Sequence, residues 1–245
     1  MEKIRIITWN IGEDERNNDG KLTIDSYNYI VDTIKKENVD VICLQEAIVK
    51  SDYLPKISEY INPNTDLKYS VEYELSDSHI NIGCKMGVVI CSRYELTNTE
   101  NVLLDNPNLI FQVNENTTYY SHDKGFIITN IEEITLIAGH LLPFHIFKET
   151  PLNYLNIFEK ADDIFIKKYN ENEKIILCGD FNFGDGKSLF PKIMEKCKET
   201  IEVPTKNNKQ SDHLIISDKI ECLYSEVKDN IFDHKFIISE IINKD

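Results

Sequence analysis

The stretch Lys174-Ile175-Ile176-Leu177-Cys178-Gly179-Asp180-Phe181-Asn182 decides the fold. An apolar run meets a glycine, and two polar residues then flank an aromatic. A short apolar run bounded by glycine reads as a buried strand. Asp180 and Asn182 then lie just past its carboxyl end, where open α/β sheets place their ligands. Strand alternation sets both side chains on one face and Phe181 on the other. A carboxylate and an amide aimed at one spot can hold and orient a water molecule. The plainer reading is an Asx turn that closes the strand, and the stretch alone leaves the two readings open.

Upstream, Leu152, Leu155, Phe158, Ile164 and Phe165 predict a helix that leads into this strand. Before it, Phe126–Thr129 and Ile134–Ala138 read as strands, the second ending in Gly139-His140. At the start of the chain, Ile4–Thr8 reads as a strand left by Trp9-Asn10-Ile11-Gly12. Ile24, Tyr27, Val31 and Ile34 keep helical spacing, with Thr23 or Asp25 as the cap, and Val39–Leu44 is a strand ending in Gln45-Glu46. Strand, helix, strand predicts a parallel crossover, with Asn10 and Glu46 at the same end of neighbouring strands. A short helix is expected over Tyr53–Tyr60. A half-exposed strand is expected through Tyr69, Val71 and Tyr73, and a buried one over Gly87–Cys91. The polar segment Asp105–Lys124 reads as a long loop or irregular strands. Past Asn182, a helix is expected up to Cys197, then strands at His213–Ser217 and Phe236–Ile238. No repeat or linker divides the chain, so one α/β domain is expected over residues 1–245.

The composition, 41% hydrophobic and 28% charged, is that of a globular chain and excludes disorder. The formal net charge of −15 repels a polyanion at long range, although a bound divalent cation reverses the field locally. Only Arg5, Arg16 and Arg93 offer a guanidinium fork for phosphate. The six cysteines show neither a CxxC nor finger spacing, and Cys43, Cys91 and Cys178 sit inside apolar strands as small buried thiols. No signal peptide precedes Ile4 and no run approaches a membrane span, so a reduced, cytoplasmic, monomeric protein is expected. The Asn116-Thr117-Thr118 sequon then carries no meaning.

Strand after strand ends or begins in a polar residue suited to phosphate or metal: Asn10, Glu46, His140, Asp180, Asn182, Asp212, Asp233 and His234. Carboxylates and an amide at one rim make a hard-oxygen site, which suits Mg²⁺ or Mn²⁺ rather than zinc. His–Asp pairs suit proton transfer and charge stabilisation. The blocks Thr8-Trp9-Asn10, Leu44-Gln45-Glu46, Gly139-His140, Gly179-Asp180-Phe181-Asn182, Ser211-Asp212-His213 and Asp233-His234 resemble, in order, those of the endonuclease/exonuclease/phosphatase superfamily. That superfamily is the group of DNase I, exonuclease III-type AP endonucleases, sphingomyelinases and inositol polyphosphate 5-phosphatases. The blocks span positions 8 to 234.

The resemblance implies a four-layer DNase I-like sandwich: two packed mixed β-sheets flanked by helices. It implies Mg²⁺ or Mn²⁺ held by Glu46 with Asn10 and Asp233. It further implies that Asp180 orients or deprotonates the attacking water and that Asn182 supports it and contacts the phosphate. Asp212 would orient His234 toward the scissile phosphate, its charge favouring the imidazolium. His140 would bind the phosphate or serve the leaving oxygen. His213 reads as structural, His145 has no identifiable partner, and His79 and His122 carry no role. Gly186-Lys187-Ser188 mimics a P-loop, but that motif needs a glycine at position 181, which is Phe181.

Asn10 is followed by Ile11-Gly12-Glu13-Asp14 rather than the Gly-Leu-Arg run usual in AP endonucleases, which argues against abasic-site cleavage. The expected activity is a metal-dependent phosphodiester hydrolase acting on nucleic acid, at single-stranded or frayed ends. The alternative within the superfamily is a phosphatase or phosphodiesterase for a small soluble or lipid-headgroup phosphate ester. A binding module with a relic site is the third reading, and the complete polar set speaks against it. Lysines 187, 192, 196, 198, 206 and 209 form a strip that either tracks a phosphate backbone or simply solvates a helix face. Tyr119 and Tyr120 are the candidates for stacking on a base.

Overall fold

The computed structural model describes residues 3–115 and 117–244, so the sequon's Asn116 lies outside the described residues. In chain order the strands are β1 (Ile4–Asn10), β2 (Val41–Lys50), β3 (Tyr69–Asp77), β4 (Lys85–Ser92), β5 (Leu96–Leu103), β6 (Ile110–Asn114) and β7 (Thr117–Tyr120). They continue with β8 (Gly125–Ile131), β9 (Ile134–His140), β10 (Ile175–Asp180), β11 (Cys197–Glu199), β12 (Asp212–Ser217), β13 (Ile220–Lys228) and β14 (Phe236–Asn243). The helices are α1 (Ile24–Glu37), α2 (Ile57–Asn64), α3 (Leu155–Glu171), α4 (Gly186–Leu189) and α5 (Pro191–Met194).

Two mixed six-stranded sheets carry the architecture, ordered β13-β14-β1-β2-β4-β3 and β11-β12-β10-β9-β8-β5. Each has one parallel pair at its centre, β1 with β2 and β9 with β10, and antiparallel neighbours elsewhere. A parallel pair needs a crossover, and α1 and α3 supply the two. Thr23 begins α1: its hydroxyl accepts from the Ser26 backbone N–H, and the Ser26 hydroxyl accepts from Thr23 N–H in return. Asn38 ends the helix in the left-handed conformation.

Strand alternation divides the apolar residues among three packing layers. Ile4, Ile6, Val41, Cys43 and Ile90 of the first sheet meet Ile127, Leu136, Ala138, Ile176, Cys178 and Leu214 of the second. Here Cys43 and Cys178 face each other, one from each sheet. On the outer face of the first sheet, Ile7, Trp9, Ile42 and Leu44 pack on Tyr27, Ile30 and Ile34 of α1 and Ile57 and Ile61 of α2. On the outer face of the second, Ile137, Ile175 and Leu177 pack on Phe158, Ala161 and Phe165 of α3. Burying one such side chain is worth about 1.5–3 kcal/mol relative to exposure. Phe126, Phe165, Phe181 and Phe190 meet edge-on or tilted and join this layer to the loop after β10.

Several expectations are corrected. The expected helix up to Cys197 is instead the two short helices α4 and α5 followed by β11; Pro191 opens the second, and its fixed φ and missing N–H prevent one continuous helix. The buried face of α3 runs through Ile157, Phe158, Ala161, Phe165 and Tyr169, while Leu152 precedes the helix and Leu155 is exposed. Strands β5 and β13 were not expected from the sequence: both are sheet edges, β5 polar and largely exposed, β13 of mixed polarity and mostly half-buried. The segment Asp105–Lys124 contains the hairpin β6–β7. Glu46 does not lie past the end of a strand. It sits inside β2 at a register shift between Leu44 and Ala47, with φ +54°. Such a bulge re-aims one side chain while pairing resumes on either side.

Where β9 and β10 run side by side, two glycines allow contact that no larger residue permits. Gly179 has φ +139°, and a Cβ there would lie 2.0 Å from the Gly139 carbonyl oxygen. Strain and backbone overlap together predict that Gly179→Ala lowers the free energy of unfolding by about 3 kcal/mol or prevents folding. Urea denaturation followed by circular dichroism checks this; a variant as stable as the parent would show that the strands can move apart at no cost.

Candidate active site

The pairing of the second sheet sets the centre of the site. Asp180 stands opposite His140 of β9 on one side and Asp212 of β12 on the other. From the first sheet, Asn10 at the end of β1 reaches across: its Nδ2 donates to Asp180 Oδ2 at 2.8 Å and to Glu46 Oε1 at 3.3 Å. Its Oδ1 accepts from the Gly12 N–H at 3.0 Å, which fixes the amide orientation. Gly12 is needed because a Cβ there would overlap the Glu46 carboxylate.

Asp180 and Asn182 come together by a route other than strand alternation. Asn182 is left-handed at φ +52°, and its backbone N–H donates to Asp180 Oδ1 at 2.8 Å. That is an Asx turn, so the plain reading of the pair and the functional one describe the same geometry. The Asn182 amide donates to Leu141 O at 3.1 Å and Asp180 Oδ2 at 3.2 Å, and lies 3.4 Å from His140 Nε2.

The charges are unequal. Burial raises the Asp180 carboxyl most, Asp212 adds to it, and His234 and the Asn10 and Asn182 donors oppose; it ends near 6. Burial works against the charge on His234, but Asp212 and Asp180 outweigh it and raise the imidazole to about 9. His234 Nδ1 lies 2.8 Å from Asp212 Oδ2, and Nε2 lies 3.7 Å from Asp180 Oδ2. At neutral pH His234 is therefore an imidazolium clamped by two carboxylates. Burial also opposes ionisation of Glu46, yet the cationic groups around it, Lys124 and His234 among them, hold its carboxyl down at about 2. Its side chain is 20% exposed, open to the cleft. His140 is pushed well down by burial and by Lys124, so it is neutral, with Nε2 3.6 Å from both Glu46 and Asp180.

Glu46, Asp180, Asn182 and His234 line a cleft of about 410 Å³, within the range of small-molecule sites. Asp233 lines it too, its carboxylate 2.5 Å from Lys206 Nζ. Its apolar lining is Ile80, Met86, Leu142, Pro143, Ile146 and Phe147, with Tyr119 and Tyr120 of the hairpin. The two tyrosines are 45% and 58% exposed. His79, His122 and His145, which had no role, line the cleft as well. Of the lysine strip, Lys206 lines it, whereas Lys192 pairs with Asp163 on α3. Lys124 is a cleft residue that no motif signalled; its only sequence mark is its place before Gly125. Among the described residues, Asp180, Asp212 and His234 offer ligand atoms within 4.8 Å of one another and could hold a metal ion.

A profile of the Endonuclease/Exonuclease/phosphatase family matches residues 7–193. The chain belongs to that family, whose members are phosphoester hydrolases. Among curated proteins no sequence relative matches. Among solved structures, the catalytic domain of human nocturnin with a bound sulfate is similar at TM-score 0.70 and 15% identity, over 99% of this chain and 95% of that one. A 3′ phosphatase from Neisseria bound to a product DNA hairpin is similar at 0.64 and 12%, over 98% and 99%. A mannosyl-6-phosphatase from Bacteroides thetaiotaomicron is similar at 0.63 and 12%, over 98% and 99%. At these identities the likeness is one of fold.

His213, expected to be structural, is buried and stacks on Phe181. Its Nε2 meets the Phe183 carbonyl at 2.8 Å and its Nδ1 meets Glu199 Oε1 at 2.6 Å. Two acceptors require two N–H donors, hence an imidazolium. Burial opposes this charge, and Glu199 with the Phe183 carbonyl raises the group above its usual 6.5. A raised native value adds stability that is full below 6.5 and fades as pH rises through that native value. His213→Gln should cost about 3 kcal/mol at mildly acid pH. Its gap to the parent should narrow as pH rises. Urea midpoints across a pH series test this, and a gap that widened with pH would reverse the sign.

Proposed function

We propose that the protein is a divalent-metal-dependent phosphodiester hydrolase that processes nucleic-acid ends. The observation that carries the reading is Asp180: a buried carboxyl poised near 6, beside an imidazolium and within reach of Asn10 and Asn182. A carboxyl that titrates near 6 is largely ionised at neutral pH yet basic enough to take a proton from water. Asn182 holds Asp180 through its backbone N–H and its amide. His234, kept charged by Asp212, stabilises negative charge on the phosphorus centre. Neutral His140 orients a phosphate oxygen or the leaving group.

Glu46 suits a hard cation, being ionised, open to the cleft and built of oxygen, whereas Asn10 faces it with its Nδ2 donor and keeps Oδ1 on the Gly12 N–H, and the Asp233 carboxylate is met by Lys206. The Asp180–Asp212–His234 cluster suits a metal less well, because protonated His234 cannot ligate. Mg²⁺ or Mn²⁺ beside Glu46 would neutralise charge gathering on the phosphate oxygens. The chain's own part is then to bind the phosphate, orient the water and hold the two protons in place.

Nucleic acid as substrate is supported by Tyr119 and Tyr120, which stand exposed at the cleft and can stack on a base. A net charge of −15 disfavours a long duplex and leaves short or frayed ends. The similar Neisseria structure holds a DNA hairpin product. A small phosphate ester is the second reading; the limited cleft volume favours it, as does the similarity to a sugar phosphatase. The unpaired thiols fit a reducing, cytoplasmic setting.

Bis-p-nitrophenyl phosphate should be hydrolysed with Mg²⁺ or Mn²⁺ and not in excess chelator. Asp180→Asn should lower kcat by about 10² or more. Full turnover in EDTA, or a near-normal Asp180→Asn enzyme, would remove the mechanism. The substrate reading is tested with a single-stranded oligonucleotide, the same sequence as blunt duplex, and sugar phosphates across a salt series. The single strand should be cut fastest, with a shallow salt slope. Hydrolysis of sugar phosphates alone would transfer the protein to the phosphatase branch.

A further inference from the structure

A lysine is costly to bury, because its charge loses water and needs a counterion in exchange. Among the described residues Lys124 is the one buried lysine, 7% exposed. It lies in the candidate site: Gly125, its chain neighbour, pairs with His140, and Lys124 lines the cleft together with Glu46, Asp180, Asn182 and His234. Its Nζ is 3.0 Å from His140 Nδ1 and 3.3 Å from Nε2. A neutral imidazole accepts only one hydrogen bond, whereas an ammonium has three to give. No carboxylate of the described residues lies within ion-pair distance of this Nζ, although the protein pairs its other buried charges with care. Asp14 is met by Arg16 and Ser26, Asp162 by the backbone N–H groups of Lys192 and Ile193, and His213 by Glu199. Lys206, the other cleft lysine, is engaged by Asp233. Burial also presses Lys124 toward losing its proton, against the pull of Glu46 and Asp180.

A phosphate entering this cleft meets the Glu46 and Asp180 carboxylates and needs positive charge beyond that of His234. We propose that Lys124 is a phosphate-binding residue, whose buried and incompletely satisfied ammonium takes a non-bridging oxygen of the substrate's phosphate. The inference rests on the phosphoester reading above and adds to it a ligand that none of the family-like blocks contains. It also explains why so costly a residue stands where it does. The cation is left short of partners in the free protein so that the incoming anion completes it. Lys124 thereby distinguishes an anionic ester from a neutral molecule of the same shape.

The test is titration of inorganic phosphate, with Mg²⁺ present, into the full-length protein and into Lys124→Met. The expected result is phosphate affinity at least about tenfold weaker in the variant, because a charged hydrogen bond is lost. The urea midpoint of the unliganded variant should be unchanged or higher, because a poorly paired buried charge is gone. KM for a phosphoester should rise by a similar factor. Should methionine not be tolerated, Lys124→Gln removes the charge and keeps a donor, with the same expectation. Undiminished phosphate affinity in a folded variant overturns the inference and leaves the hydrolase reading standing. A lower midpoint with unchanged affinity assigns Lys124 to structural support alone and equally overturns it. A parent protein that binds no phosphate removes the phosphoester reading together with the inference.

Discussion

One row of strand pairing governs this molecule. Gly125, His140, Asp180 and Asp212 lie side by side on β8, β9, β10 and β12. The side-chain period of a strand is two, so a slip of one residue in any pair would turn a site residue into the apolar layer. The inner and outer cores exclude that slip: Leu177 and Ile137 belong to one face, Cys178 and Ala138 to the other. The hydrophobic pattern thus carries the precision of the site, and the polar residues occupy the one row where the pattern ends. Asn10, brought by the other sheet, ties Asp180 to Glu46 across the join.

The electrostatic design follows from this crowding. Three carboxyl groups, Glu46, Asp180 and Asp212, converge with two imidazoles. The protein gives each a different neighbourhood rather than neutralising all alike. Glu46 stays anionic, Asp180 is poised near neutrality, His234 keeps a proton and His140 loses one. Groups of like chemistry separated in this way can take distinct parts in acid–base work.

Much of this was legible in the sequence, and the remainder was hidden for physical reasons. Buried strands such as β4 and β10 announce themselves because both faces are apolar. The edge strands β5 and β13 do not, since polar residues interrupt their apolar runs, as edges require. The polar residues that end β1, β9 and β10 could be read because polarity is abrupt there. The bulge at Glu46 could not, because two-for-one pairing depends on β4 rather than on local residues. Lys124 escaped notice because a lone lysine in a polar segment looks solvated; only the packing of β8 beside β9 buries it. His213 was rightly set aside as structural, but its partner Glu199 was not identifiable, since strand β11 is only three residues long.

Cys43 and Cys178 face each other between the sheets. Burial, and then the Cys178 thiol, push the Cys43 thiol up, so at neutral pH it is protonated and nearly inert. Its reactivity is therefore gated by separation of the two sheets rather than by surface chemistry. An alkylating reagent would consume these thiols at the rate at which the inner core opens. The interior thus holds a native clock for the cohesion of the sandwich.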